Sequence, residues 1–168
     1  MKKREIMVSD NFRLLVASGF GLGLLPLVPG SFGALVGLAW HAGAFYLGWG
    51  ETLIRLWCLF GALLFSVLHY WLTPWAQKRW HDPDPKNFVL DEVVGYLCVP
   101  LFVLFPLDAG WQLLAGFVIF RILDAIKLPV ARYIDRNIHT ASGVLFDDVV
   151  SAAYSAALLS GLIWVFSE

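Results

Sequence analysis

The chain alternates between long apolar runs and short polar stretches. Five runs with at most one charged residue each cover residues 33–49, 53–72, 93–107, 111–123 and 149–166. The run at 53–72 approaches the roughly 20 residues that an α-helix needs to cross a bilayer, whereas 93–107 and 111–123 are short for full spans. The pattern predicts an all-α protein, a multi-pass membrane helical bundle with about five embedded helical segments. We expect residues 1–168 to form a single domain.

Glycine, proline and charged residues interrupt the apolar pattern. Residues 19–33 hold five glycines and two prolines. They lack the Lys-Ser/Thr ending of a nucleotide-binding loop, so we interpret them as a kinked or re-entrant helical segment packed closely on other helices. Residues 73–92 are predicted to form a polar loop that ends in Asp91 and Glu92. Pro129 is expected to end one helix and to begin a short one.

Composition supports the membrane prediction. Hydrophobic residues make up 59% of the chain and mean hydropathy is +0.71, whereas soluble domains are roughly 45–50% apolar. The formal net charge of -1 says little about partners, and no nucleic-acid partner is expected. The basic N-terminus is not followed by a clean apolar core with a small-residue cleavage site, so a cleaved signal peptide is not predicted.

The distribution of basic residues predicts an orientation. Of twelve Lys and Arg residues, four precede the first apolar run, three lie in 73–92 and four lie between 121 and 136, which leaves only Arg55. The links at 50–52 and 108–110 contain no basic residue. Alternate loops are therefore basic, as the positive-inside rule describes for an inner-membrane protein with a cytoplasmic N-terminus. Both charged loops, 73–92 and 121–148, then face the cytoplasm and can form one site.

Two cysteines, two histidines and one arginine lie inside the apolar runs. Cys58 and Cys98 form no CxxC pair and are interpreted as small buried hydrophobes, not as a disulfide. His41 and His69 have no partner at metal-ligand spacing and are interpreted as packing residues. Arg55 lies near the end of its run, so its side chain can extend to the membrane surface.

The two charged loops contain six carboxylates: Asp91, Glu92, Asp124, Asp135, Asp147 and Asp148. Two adjacent pairs stand directly before an apolar run, where a carboxylate can cap a helix. A cap needs only one carboxylate, and mutual repulsion would raise the pKa values of some of these acids unless a cation offset it. Mg²⁺ is the natural candidate, because it takes oxygen ligands and commonly binds through a few carboxylates together with a substrate phosphate.

The second charged loop also supplies groups that suit phosphate. Arg121 and Asp124 are three residues apart and share a helix face, and Arg132 and Arg136 project from the short helix after Pro129. The arginine fork matches phosphate oxygens, although internal ion pairs or contacts with anionic lipid are equally open for any single arginine. Carboxylates for a metal and guanidinium groups for phosphate, at a membrane surface, suit phosphoryl transfer from a lipid.

Two other phosphatase designs are disfavoured. Neither cysteine is followed by an arginine at the spacing of a cysteine-based phosphatase. Asp82-Pro83-Asp84 resembles an aspartyl-phosphate motif only superficially, because it follows Lys-Arg-Trp-His and not an apolar strand. We therefore interpret this segment as a turn.

Several motifs carry a family resemblance: VPGSFG at 28–33, LDEVVG at 90–95, FRILD at 120–124, Lys127, Arg132, Asp135-Arg136-Asn137-x-His139 and Gly143-x-x-x-Asp147-Asp148. In this order and spacing they resemble the phosphatidylglycerophosphatase A family over nearly the whole chain. The resemblance implies a bacterial inner-membrane, Mg²⁺-dependent enzyme. Such an enzyme removes the terminal phosphate from phosphatidylglycerophosphate and gives phosphatidylglycerol.

The residues and the resemblance together predict the roles of the site residues. The six carboxylates are expected to hold Mg²⁺ and to orient or deprotonate the attacking water, and His139 could protonate the leaving oxygen. The residues expected to bind phosphate are Arg121, Lys127, Arg132, Arg136 and Asn137. The identity of the base or nucleophile, the number of metal ions and the oligomeric state stay open.

Two other classes of function remain as alternatives. A membrane cation carrier or channel would place ionisable groups near the bilayer midplane between broken helices, whereas the acids here gather at the ends of apolar runs. A non-catalytic membrane subunit would carry the charged loops as solvated surface. Single carboxylate substitutions would then be nearly silent.

Overall fold

A computed structural model describes residues 2–167, with side chains described for residues 10–166. This part of the chain contains no β-strand, so the predicted all-α class is confirmed. The elements in chain order are α1 (Lys2–Ala17), a 3-10 turn (Leu22–Leu24), α2 (Pro29–Tyr46), α3 (Glu51–Trp80), α4 (Leu90–Phe102), α5 (Gly110–Ile126), α6 (Pro129–Asn137) and α7 (Ala141–Ser167).

Helix α4 forms the centre of the fold, packed between α2, α3 and α7. Apart from its first turn it is apolar all round, which is the pattern of a helix enclosed on every side. Val93, Tyr96 and Leu97 are each at most 1% exposed. Glycines let the neighbouring helices approach: a Cβ on Gly37 of α2 would lie 2.9 Å from the carbonyl oxygen of Val93.

The glycine-rich segment 19–33 breaks the chain between α1 and α2. Gly19, Phe20 and Gly21 all have positive φ, a conformation that ends a helix and that glycine adopts at little cost. The segment is thus two helix ends with a 3-10 turn between them, in place of one kinked helix. Its predicted close packing is confirmed, because a Cβ on Gly33 would lie 2.7 Å from the backbone oxygen of Val89.

Two predicted helix boundaries are wrong. The polar loop expected at 73–92 is helical up to Trp80, because Leu72 and Ala76 are buried and this packing outweighs the Pro74 signal. The last helix was expected to begin at Val149, directly after Asp147-Asp148. It begins earlier because Thr140 caps it: the hydroxyl of Thr140 accepts a hydrogen bond from the N–H of Gly143 (3.3 Å). Helix α7 therefore starts at Ala141, and Asp147-Asp148 lie inside a helix and not before one.

Two helices, Glu51–Trp80 and Ala141–Phe166, are long and apolar enough to cross a membrane, fewer than the five embedded segments expected from the sequence. Part of the shortfall reflects length, because α4 has 13 residues and α5 has 17, below the roughly 20 of a full span. Helix α3 nonetheless exposes a continuous apolar stripe that includes Leu56, Leu63 and Val67. Such a stripe is typical of a surface that contacts lipid or another protein.

The predicted packing residues are buried. Cys58 and Cys98 are free thiols in the core, and the hydroxyl of Tyr96 lies 3.2 Å from Nδ1 of His41. Nε2 of His69 lies 2.9 Å from the carbonyl oxygen of Ala141. Arg55 does not simply extend outward, because its guanidinium group donates to the carbonyls at the end of α4, as described below.

Candidate active site

A polar cavity of about 280 Å³ opens at the end of the bundle where α4 begins. It lies between the first residues of α2, the loop after α3, the start of α4, the end of α5 and the second turn of α7. The two charged loops predicted to face one side therefore meet at one site. The residues that line the cavity are Pro29, Gly30, Asp84, Pro85, Lys86, Phe88, Asp91, Glu92, Arg121, Asp124, Ala125, Lys127, Val144, Asp147 and Asp148.

Three carboxylates converge in this cavity. Asp91 and Glu92 come from the first turn of α4 and Asp148 from α7, and one oxygen of each lies within 4.8 Å of the others. Asp91 is 7% exposed and Asp148 is 3% exposed. Gly95 permits this approach, because a Cβ there would lie 3.0 Å from Cβ of Asp148. The three acids are close enough to share one cation.

Four carboxylate oxygens of the cavity have no hydrogen-bond partner among the described residues: Asp91 Oδ1, Glu92 Oε2, Asp147 Oδ1 and Asp148 Oδ2. Buried polar atoms in native proteins are almost always partnered, so unpartnered ones indicate an ion, water or ligand. An all-oxygen donor set of this kind fits Mg²⁺, which prefers carboxylate ligands.

Burial and repulsion both act on the acids of the first turn of α4. Burial raises the pKa of Asp91 well above its usual range, and the neighbouring charge of Glu92 raises it further. Burial raises the pKa of Glu92 to about 7, although a hydrogen bond with Asp91 and the charge of Arg121 oppose the increase. A bound cation would favour the ionised form of both acids.

Two basic residues of the cavity are held by acids. Arg121 donates from Nη1 to Asp124 (2.7 Å) and from Nε to the hydroxyl of Ser31 (3.2 Å). Lys127 donates to Asp135 (2.9 Å) and to Asp147. Burial lowers the pKa of Lys127, but the hydrogen bonds to these two carboxylates outweigh burial and raise it. Lys127 is therefore a charged bridge between α6 and α7.

Five of the predicted site residues do not line the cavity. Asp135 reaches it only through Lys127. Arg132 donates to the carbonyl oxygens of Lys127 and Ile126 (both 3.0 Å) and so stabilises the end of α5. The side-chain amide of Asn137 donates to the carbonyl oxygen of Tyr133 in the same helix (2.7 Å). Arg136 and His139 are exposed to solvent.

Eight of the residues that line the cavity, including Gly30, Asp84 and Lys86, were not among the predicted site residues. Gly30 lies at the start of α2, and Asp84 and Lys86 lie in the loop after α3. The predicted turn is present, because the N–H of Asp84 donates to the side chain of Asp82 (3.0 Å). Lys86 could have been found from the sequence, because it lies in the basic loop 73–92 that was predicted to face the loop 121–148. VPGSFG was the signal for Gly30.

The fold and cavity define a class: an all-α, strongly apolar protein with a carboxylate-rich site that suits a divalent cation. Within that class, the chain belongs to the phosphatidylglycerophosphatase A family, whose model matches residues 15–163. This match confirms the resemblance inferred from the motifs.

Two named relatives carry the name of this family, and a third carries the name of another lipid phosphatase. The chain is 35% identical to phosphatidylglycerophosphatase A of Escherichia coli, covering 94% of this chain and 86% of the relative. It is 32% identical to phosphatidylglycerophosphatase A of Haemophilus influenzae, and the match covers 86% of this chain and 85% of the relative. A Bacteroides thetaiotaomicron protein named "Putative phosphatidylinositol-3-phosphatase" is 33% identical, covering 90% and 94%. No solved structure matches the chain.

Proposed function

We propose that this protein is a lipid phosphatase that hydrolyses the terminal phosphomonoester of phosphatidylglycerophosphate to phosphatidylglycerol and phosphate, with Mg²⁺ bound. The family and the names of two relatives support the substrate. The observation that carries the chemistry is the convergence of Asp91, Glu92 and Asp148 with unpartnered oxygens. A solvated surface of a non-catalytic subunit would have no reason to bury these acids.

The proposed Mg²⁺ ligands are Asp91, Glu92 and Asp148. When bound, the ion supplies positive charge that offsets the negative charge on the transferring phosphoryl group. Asp124 and Asp147 each keep an ion pair with a basic residue, so we assign neither of them as a ligand of the ion. The sequence predicted six carboxylate ligands, and we propose that only three of these carboxylates bind the ion.

The chain's own residues bind the phosphate and orient the water. Arg121 is fixed by Asp124 and Ser31, so its guanidinium group enters the cavity already oriented and loses little freedom on binding phosphate. Asp147 is held by Lys127 through Oδ2, while Oδ1 has no partner. That free oxygen accepts a hydrogen bond from the attacking water and orients it toward phosphorus.

We further propose a multi-pass protein of the bacterial inner membrane, with α2, α4 and α5 embedded beside α3 and α7 and the cavity facing the cytoplasm. The basic residues at the cavity end support this orientation. A cysteine introduced at Lys86 should react with a membrane-impermeant maleimide only after the inner membrane is opened. A cysteine at Gly48, in the turn between α2 and α3, should react in intact spheroplasts.

Phosphate release from purified protein tests the proposed activity. With phosphatidylglycerophosphate and Mg²⁺ we expect turnover, and chelator or Asp148→Asn should reduce it at least about a hundredfold, because charge stabilisation worth several kcal/mol is lost. Activity that survives both changes would refute the metal site. Phosphatidylinositol 3-phosphate is the competing substrate, and a higher kcat/KM for it would overturn the proposed specificity.

A further inference from the structure

The N-terminus of α2 opens into the cavity with free backbone donors. Pro29 is the first helical residue, and no side chain among residues 10–166 caps the helix. The N–H of Phe32 bonds to the carbonyl of Val28 (3.3 Å), while the N–H groups of Gly30 and Ser31 have no partner among the described residues. An 18-residue helix concentrates partial positive charge at such an end, where anions bind favourably.

Gly30 brings this helix end against the charged groups of the cavity. A Cβ on Gly30 would collide with Oε1 of Glu92 and would lie 2.9 Å from Nη2 of Arg121. Glycine is therefore required here for space and not for an unusual backbone angle. Any larger residue would separate the free N–H groups from Arg121.

Few other donors in the cavity are available for an anion. Lys127 is occupied by Asp135 and Asp147, and Lys86 lies at the rim, exposed to solvent. Nη2 of Arg121 has no partner among the described residues and lies beside Gly30. Asp91, more than nine-tenths buried, presents an unpartnered Oδ1 to the same cavity. Free donors on one side and free acceptors on the other indicate a ligand that brings both an anion and a cation.

We propose that the N–H groups of Gly30 and Ser31, together with Nη2 of Arg121, form the subsite that binds the phosphate monoester. The hydroxyl of Ser31 accepts the hydrogen bond from Nε of Arg121 and so fixes the arginine relative to the helix end. This subsite deepens the proposed function and rests on it for the identity of the lipid. Phosphate binding itself requires no turnover. The competing role for this helix end is to stabilise the carboxylate of Glu92 directly.

Gly30→Ala tests the subsite, with Gly43→Ala as the matched control. Gly43 lies in the same helix, and a Cβ there meets nothing within 4 Å. In detergent with Mg²⁺, calorimetric titration with inorganic phosphate should show binding weakened about tenfold in Gly30→Ala, since charge-assisted hydrogen bonds are lost. Gly43→Ala should match the wild type. Equal binding in both variants, or no binding of millimolar phosphate to the wild type, would overturn the proposal.

Binding of Mn²⁺, measured by electron paramagnetic resonance without phosphate, separates the subsite from the competing role. Because the Cβ of Gly30→Ala would meet Oε1 of Glu92, a proposed ligand of the cation, we expect some loss of Mn²⁺ binding in this variant but a clearly larger loss of phosphate binding. An equal loss of Mn²⁺ and phosphate would show that the helix end acts through Glu92. Ser31→Ala is the second variant. It keeps the N–H but frees Arg121, so phosphate binding should weaken about threefold with Mn²⁺ binding unchanged, and a change in Mn²⁺ alone would contradict the subsite.

Three phosphate sources distinguish what the subsite recognises. Inorganic phosphate, glycerol 3-phosphate and phosphatidylglycerophosphate in bicelles should all bind more weakly to Gly30→Ala. A defect confined to the lipid would mean that α2 contacts the lipid and not its phosphate, which overturns the subsite. A wild type that binds phosphate through Gly30 but does not hydrolyse the lipid would support the subsite and refute the proposed function.

Discussion

The two ends of α4 differ in whether their charged groups have hydrogen-bond partners. At its C-terminal end, Arg55 donates to the carbonyl oxygens of Pro100, Val103 and Phe105 (3.0 to 3.1 Å) and pairs with Glu51 (2.9 Å). At its N-terminal end, four buried carboxylate oxygens have no donor among the described residues. The first end is a satisfied helix cap. The second end has an excess of acceptors that protein groups do not satisfy.

This difference separates a structural polar group from a functional one. A satisfied group contributes to stability, and its removal leaves other atoms unpartnered. A cluster of like charges costs stability by itself and persists where a ligand offsets the cost. Substitutions at the two ends should therefore have opposite effects on activity and on stability.

Asp91→Asn should have the largest effect on activity. We expect phosphate release to fall at least about a hundredfold, since one proposed ligand of the cation is lost. Thermal stability in detergent with chelator should stay the same or increase, because repulsion with Glu92 is removed. Asp108→Asn, the same change at an exposed acid of the opposite end, is the control and should alter neither quantity. A large loss of stability in Asp91→Asn would mean that the cluster is structural.

The sequence predicts the joining of the two charged loops better than the details within them. The alternation of basic and non-basic loops predicted that Asp91 and Asp148 lie on the same side. This prediction uses the distribution of Lys and Arg along the whole chain and does not depend on the details of any one loop. The start of α7 was missed, since Thr140 caps it in a way that local composition does not reveal.

The individual roles of the basic residues depend on three-dimensional packing. Arg132 and Arg121 have the same side chain and lie in the same motif region. Only the fold shows that Arg132 faces the carbonyls at the end of α5 while Arg121 faces the cavity. Gly30 has no side chain to suggest a role. Its importance appears only when Glu92 and Arg121 are seen beside it.

Arg55→Ala should have the largest effect on stability. Three carbonyl acceptors lose their donor, so we expect the free energy of unfolding to fall by about 2 kcal/mol. Unfolding in detergent measures this loss. Activity per folded molecule should be unchanged, because the cavity lies at the other end of α4. Arg55→Lys should be intermediate, since one ammonium group cannot reach all three carbonyls. A drop in kcat for correctly folded Arg55→Ala would contradict the separation of the two ends.

Lys127 allows the backbone and charge contributions at the cavity end to be separated. It has a positive φ of 50°, which costs a residue with a Cβ about 1 kcal/mol relative to glycine. Lys127→Gly and Lys127→Ala both lose the ion pairs to Asp135 and Asp147. We therefore expect the glycine variant to be about 1 kcal/mol more stable in chelator, measured by denaturant unfolding in detergent. Equal stability of the two variants would mean that this backbone conformation relaxes without cost.

Arg136→Ala and His139→Ala should have the smallest effects. Both side chains are exposed and neither lines the cavity, so kcat/KM for phosphatidylglycerophosphate should change less than about fivefold, as for exposed charges elsewhere. Arg121→Ala is the matched comparison, since the same truncation at a cavity arginine should have a far larger effect. A loss in His139→Ala as large as that in Arg121→Ala would mean that the segment after α6 contacts the substrate. The boundary of the site would then extend beyond the acids and donors that meet at the start of α4.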